Sequence, residues 1–154
     1  MPVRKIIPDD YQTFKTLFCN YYNELDCEDD PLSLFNDYIL PDLEAGLFDV
    51  GVCEVDGVFV GFAVYQIDDL INDWNFKEGC GDVREIYVAP DFRKRGLGSE
   101  LLHFAEAQLK ACGADSVYTL PTEDSELFFK KCGFADNGGY CPDLDNKVFE
   151  KILP

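Results

Sequence analysis

The chain has 154 residues, 47% of them apolar, enough to enclose one core without disulfides or metals. Thirty Asp and Glu against thirteen Lys and Arg give a formal charge of -17, which opposes binding to nucleic acid or to an anionic membrane surface. No apolar run approaches the roughly eighteen residues needed to cross a bilayer, and Met1-Pro-Val-Arg-Lys-Ile-Ile-Pro8 lacks the apolar stretch of a signal peptide, so a cytoplasmic protein without membrane partners is expected.

The opening Pro2 to Ile7 is a short β-type run ended by Pro8-Asp9-Asp10, and Asp9 or Asp10 is placed to cap a helix carrying Tyr11, Phe14, Leu17, Phe18 and Tyr21 at helical spacing. Acidic residues then crowd at Glu24, Asp26, Glu28, Asp29 and Asp30, and a second helical pattern runs from Pro31 to about Leu47, interrupted or kinked at Pro41. From Gly51 the period shortens. Val50 to Val55 and Val58 to Tyr65 flank Asp56-Gly57, a two-residue turn of the kind that closes β-hairpins. After a polar loop holding Trp74, Asp82 to Ala89 reads as a strand stopped by Pro90. A helix follows to Gly113, and its Leu97, Leu101, Ala105, Leu109 stripe is core packing. His103 lies off that stripe and is expected at the surface. The rest gives a strand at Ser116 to Leu120, a short helix over about Ser125 to Cys132, a Gly133-Phe134 exit, a break around Asp136-Asn-Gly-Gly139, and a last strand from Lys147 to Leu153. There is no repeat or linker, so the pattern describes one α+β domain over residues 1–154, built on a mixed sheet. The seven cysteines form no Cys-x-x-Cys pair and His103 is the only histidine. Neither a metal site nor a disulfide framework is expected.

Four of the thirteen basic residues fall within Arg84 to Arg95, and Arg93-Lys94-Arg95 immediately precedes Gly96-Leu97-Gly98-Ser99 and the long helix. In so acidic a chain this is a local reversal of sign. Glycines permit a tight turn, and the first amides of a helix point outward with partial positive charge, so the segment suits a phosphate-bearing ligand. Without Gly-Lys-Ser/Thr it is no nucleotide P-loop, and Leu101 stands where the dinucleotide fingerprint needs Gly or Ala. The run Ile86-Tyr-Val-Ala-Pro-Asp-Phe-Arg-Lys-Arg-Gly-Leu-Gly-Ser-Glu-Leu-Leu102 resembles the central motif of the GNAT superfamily of acetyl-CoA-dependent N-acetyltransferases, Arg/Gln-x-x-Gly-x-Gly/Ala after a strand. Arg93, Gly96 and Gly98 fill its defining places. Leu127-Phe-Phe-Lys-Lys-Cys-Gly-Phe134 is similar to that family's later helix, and the order of elements matches its layout.

The resemblance implies a GNAT-like mixed, mostly antiparallel central sheet flanked by helices, with a split beside the motif strand. Backbone groups of Ile86, Tyr87 and Val88 would hold pantetheine there. Arg93 with the loop Lys94, Arg95, Gly96, Leu97, Gly98 and Ser99 would hold the pyrophosphate of acetyl-CoA, the co-substrate, with no metal. Attack on a thioester needs a neutral amine, whereas an alkylamine with a pKa near 10.4 is protonated at pH 7, so a base is useful. Glu85 is the leading candidate for general base, with an acceptor-orienting carboxylate or an ion pair with Arg84 as the competing role. The amide of Tyr87 or Val88 would polarise the thioester carbonyl.

Phe129 stands where the family commonly keeps a tyrosine that protonates the departing thiolate, and Thr122 where an asparagine often contacts the cofactor. Water, Tyr118, Tyr140 or Cys132 are the substitutes for the acid. Tyr21, Tyr22, Glu24, Asp26, Glu28, Asp29 and Asp30 fall in the acceptor region, where acid and aromatic rings suit a cationic amine or form a merely solvated loop. The expected activity is acetyl transfer to a primary amine of a small cationic or peptide acceptor by direct attack. The alternatives are a silent GNAT-like acyl-CoA sensor and a plain acidic interaction domain. A homodimer is left open.

Overall fold

Strands β2 (Asp49–Val55) and β3 (Val58–Ile67) meet at Asp56 and Gly57, whose φ of +52° and +79° give the doubly left-handed turn that matches the twist of a hairpin. The computed structural model describes residues 2–25, 27–71 and 75–154; Asp26 of the acidic cluster and Trp74 of the polar loop lie outside the described residues. The remaining strands are β1 (Val3–Lys5), β4 (Gly81–Val88), β5 (Ser116–Thr119), β6 (Ala135–Cys141) and β7 (Asn146–Ile152). They hydrogen-bond in the order β1-β2-β3-β4-β5-β7-β6. β4 and β5 run parallel, while β1 with β2, β5 with β7 and β6 with β7 run antiparallel. This is the mixed, mostly antiparallel sheet that the sequence implied.

The described chain groups into two compact units. The first comprises residues 1–64 and 85–104. Its core is built on helix α1 (Tyr11–Glu24), which buries Phe14, Leu17 and Phe18 at i, i+3 and i+4, the spacing that lines one helical face. Phe14 meets Phe62 edge-on at 5.2 Å and Phe35 at 5.5 Å. Asp10 precedes α1 but does not cap it through its side chain. The carboxylate instead turns back to accept from Arg4 at 2.7 Å and from the Ile7 amide at 2.9 Å. Helix α2 (Pro31–Leu34) is capped by Asp30, then widens into a π-type segment, Phe35–Ile39, before α3 (Leu40–Glu44). Pro41, which has no amide to donate, is absorbed here: the Leu40 amide reaches back five residues to Phe35 O and the chain stays helical past the proline.

The second unit comprises residues 65–84 and 105–154. Gly81 packs where a side chain would strike Leu109 and Val117. Helix α5 (Glu126–Lys131) ends as the Gly-Phe pair anticipated: Gly133 is left-handed at +95°, and the Phe134 amide bonds to Phe129 O at 3.0 Å while the Phe134 ring covers Phe129. The anticipated break at Asp136 to Gly139 is a correction, because these residues lie within β6. Asp136 Oδ1 and Asn137 Oδ1 accept from the amides of Gly138 and Gly139, and the register with β7 slips between Asp136 and Tyr140, so turn chemistry is spent on a bulge inside the strand. The long helix α4 (Leu97–Ala111) passes through both units. Among the described residues no helix is long and apolar enough to cross a membrane.

Candidate active site

The basic loop joins β4 to α4 within the first unit. After a 3-10 turn at Pro90–Phe92, Lys94 and Gly96 both take left-handed backbone, at +65° and +81°. Gly96 does so without strain. Lys94 holds a conformation that costs a non-glycine residue on the order of 1 kcal/mol, the kind of outlier that accumulates at ligand sites. A Cβ on Gly96 would meet nothing within 4 Å, so the loop is open around it. The Glu100 amide closes the first helical turn onto Gly96 O at 3.1 Å, and Leu97 and Leu101 anchor that turn in a cluster with Val60, leaving Gly98 and Ser99 part-exposed. The amides at the start of such a helix have no intrahelical acceptor. Arg93, Lys94 and Arg95 are exposed, and Arg95 donates to Asp91 O at 3.2 Å while lying 5.1 Å from the Phe92 ring. Phosphate would meet two cations and a helix start here.

Arg93 is committed elsewhere. Its Nε donates to Val88 O at 2.7 Å and its Nη2 to Glu24 Oε1 at 2.8 Å, with the guanidinium 5.6 Å from the Tyr87 ring. The second oxygen of Glu24 accepts from the Tyr87 hydroxyl. Burial works to raise the Glu24 carboxyl, but the hydrogen bonds from Tyr87 and Arg93 prevail and hold it below its ordinary value. Burial first, then the bond to Glu24, pushes the Tyr87 phenol up to about 12. Two groups that the sequence assigned to the cofactor, the Arg93 side chain and the Val88 backbone, are thus brought to each other, and the last turn of α1 is tied to the motif.

Glu85 lies half-buried on β4, and its Oε1 accepts from the Tyr22 hydroxyl at 2.5 Å. Burial and the nearby carboxylate push the phenols of Tyr22 and Tyr21 far above their ordinary value, so both stay protonated. Their rings pack with Phe18, Phe62 and Tyr87 rather than standing open as a cage. Arg84, weighed as a partner of Glu85, donates to Gln66 Oε1 at 3.1 Å. In the acidic stretch Glu28, Asp29 and Asp30 are exposed, and Asp30 serves Leu32 N and Ser33 Oγ as a helix cap.

In the second unit, Phe129 is buried against Phe128 and Phe134, and Thr122 is exposed and bonded to Ser125. Of the substitute acids, Tyr118 is fully buried and donates to Asp68 at 2.8 Å, whereas Tyr140 is exposed and bonded to Asp145. His103 is exposed, as expected. Sequence reasoning missed a buried acidic group. Asp68 accepts from Tyr118 and from the amides of Leu70, Phe76 and Lys77, and beside it Asp82, 3% exposed, is pushed up to about 7 chiefly by burial and, among nearby groups, by the Asp68 charge. The advance signal was Asp82 itself, an aspartate second in a strand whose neighbours Gly81 and Val83 are buried. Among the described residues no group of three His, Cys, Asp or Glu could hold a metal.

A sheet of this order, a left-handed basic turn between its fourth strand and a long helix, and a carboxylate on that strand are the features that the resemblance to the GNAT superfamily implied. Residues 11–134 match the Acetyltransferase (GNAT) family, and the chain belongs to that family. It is 30% identical over 122 residues to an amino-acid acetyltransferase of Azotobacter vinelandii, covering 72% of this chain and 26% of that protein. It is 28% identical over 141 residues to an uncharacterized N-acetyltransferase of Methanocaldococcus jannaschii, covering 87% of this chain and 60% of that protein. Its fold matches the PaiA N-acetyltransferase of Thermoplasma acidophilum, solved in complex with coenzyme A, at a TM-score of 0.71 and 16% identity over 98% of both chains. The chain therefore spans about a quarter of the first of these proteins and about three fifths of the second.

Proposed function

We infer that this chain is an acetyl-CoA-dependent N-acetyltransferase, one catalytic domain over residues 1–154, acting on the primary amine of a small cationic or peptide acceptor. The loop carries the reading: in a protein of charge -17, the exposed Lys94 and Arg95 stand at a left-handed turn immediately before a helix start. Those two cations with the amides of Gly96 to Ser99 suit a pyrophosphate, and the Ile86 to Val88 backbone suits an extended pantetheine arm. Glu85 takes the proton of the attacking amine, directly or through water, as the C–N bond forms and the C–S bond breaks; the thiolate departs and is protonated by solvent. A thiol of pKa near 8.5 is a tolerable leaving group, so the missing phenol at Phe129 costs at most about the 10²-fold of a weak general acid. The amino-acid acetyltransferase relative supports a small amine, and the exposed Glu28 and Asp29 favour a cationic one. Seven cysteines without a paired motif suit a reducing compartment such as the cytoplasm.

The test is thiol release from acetyl-CoA across amino acids, polyamines and peptide amines, with the acetylated product confirmed by mass. Silence on every amine together with no stabilisation by CoA would sink the reading. The burial of Phe129 and of Tyr118 favours a second reading, a CoA-binding sensor without turnover, which requires stabilisation by CoA and no acetylated product.

A further inference from the structure

Glu85 can work as a base only if it is ionised and held still at the pH of the reaction. Glu85 is half-buried, and the two tyrosines of α1 that face it, Tyr21 and Tyr22, pack with Phe62 and Tyr87. We propose that Tyr22 is the positioning residue of the base: its hydroxyl, 2.5 Å from Glu85 Oε1, keeps that carboxylate charged and fixes its orientation. The inference rests on the reading of Glu85 as the base.

A phenol is suited to this duty because it cannot give its proton away. Burial and the neighbouring carboxylate hold the Tyr22 proton in place, so the hydroxyl is a permanent donor. A hydrogen bond to the charged form lowers an acid's pKa. The Tyr22 ring is itself fixed, 4.6 Å from Phe18 and 5.1 Å from Tyr21 between ring centroids, so the donor arrives with little freedom left to lose. Other titratable and charged groups border this corner of the site. Tyr21 faces Glu85 from the same helix, Cys27 lies beside both tyrosines, and Glu24 is engaged with Tyr87 and Arg93; Arg84, next along β4, donates to Gln66.

Tyr22→Phe removes the hydroxyl and keeps the ring. Carboxyl 13C titration of glutamate-labelled protein, with the Glu85 signal assigned by its loss in Glu85→Gln, reads the effect without needing an acceptor. The Glu85 pKa rises by about 1 unit in Tyr22→Phe, the size expected for losing a hydrogen bond to a charged group. With an amine accepted in the thiol-release screen, the acidic limb of the kcat/KM profile moves up by the same amount and activity recovers at high pH. A packing role alone moves neither quantity. A Glu85 pKa and an acidic limb both unchanged within 0.3 unit, while Glu85→Gln still abolishes the limb, overturn the role of Tyr22 and leave the base in place. Full turnover with an intact limb in Glu85→Gln overturns both. Melting temperatures confirm that each variant is folded.

Discussion

Gly61 of β3 faces the stretch of β4 to which the pantetheine arm is assigned. A Cβ built there would stand 2.6 Å from Tyr87 O, 3.1 Å from Leu101 Cδ1 and 3.4 Å from Val88 Cα. The first is backbone, paired into the sheet, and cannot swing aside, so Gly61→Ala must push the two strands apart. In the interior of a strand alanine otherwise gains roughly 0.5–1 kcal/mol over glycine, and overpacking a close contact costs about 1–3 kcal/mol. With backbone as the obstacle the upper part of that range applies, a net loss of about 2 kcal/mol, or roughly 4–8 °C in Tm for a domain of this size. Gly51→Ala is the control, because its Cβ would meet the Phe104 ring at 2.8 Å, the flexible side of a half-buried residue, and should fall within about 1 kcal/mol of wild type. Urea denaturation gives both numbers, and the rise in Tm on adding CoA gives a third. It should shrink in Gly61→Ala, whose displaced atoms belong to Tyr87 and Val88, and persist in Gly51→Ala. Two variants of equal stability, or a Gly61→Ala protein within 0.5 kcal/mol of wild type, would refute the packing argument.

Gly98→Glu, which sets a bulky anion in the first turn of α4, should abolish the rise in Tm that CoA gives the wild type; an undiminished rise in the folded variant moves the phosphate site elsewhere. Asp82, held up to about 7 in the fold against about 3.9 unfolded, binds a proton that the unfolded chain has lost between those values, so its contribution to stability falls as pH rises from about 4 to 7. Asp82→Asn should therefore gain on wild type at pH 8 relative to pH 5, and parallel stability curves would show that the buried carboxyl titrates normally. Phe129→Tyr should raise kcat with CoA affinity nearly unchanged if thiolate departure limits the rate, and equal turnover in the two proteins would make Phe129 a packing residue only.

What the sequence made legible was local. The Asp56-Gly57 hairpin and the Gly133-Phe134 exit depend on two or three adjacent residues whose backbone preferences leave few choices, and both stand as expected. The same logic misled at Asp136 to Gly139, where side chains that favour turns bond their own backbone inside a strand, because β7 supplies a ladder that a local reading does not see. Asp10 fell to a similar competition, with Arg4 offering its carboxylate more than the α1 amides could. At the site, glycine spacing and the sign of charge located the loop. They were silent on the partner of Arg93, Glu24, 69 residues away, and on that of Glu85, Tyr22, 63 away. Such pairings arise only when helix and strand are brought together by the burial of Phe14, Phe18 and Phe62.

That packing carries a consequence for the chemistry. On α1, Tyr22 and Glu24 are two residues and about 3 Å apart along the helix axis; on β4, Glu85 and Tyr87 are two residues and roughly 7 Å apart on one face. Two residues of one helical turn, with Asn23 between them, therefore hold two same-face positions of the strand, and through Arg93 they also hold the entry to the basic loop. The bonds are not equal in strength. The Arg93 to Glu24 pair is about half exposed, 45% and 37%, and an ion pair in such a setting contributes about 0.2–1 kcal/mol, whereas the two tyrosine hydroxyls donate to charged carboxylates from a packed aromatic cluster, each at about 1.5–3 kcal/mol. The exposed ion pair is thus the weakest of the three bonds, so its loss should cost less stability than the loss of either hydroxyl.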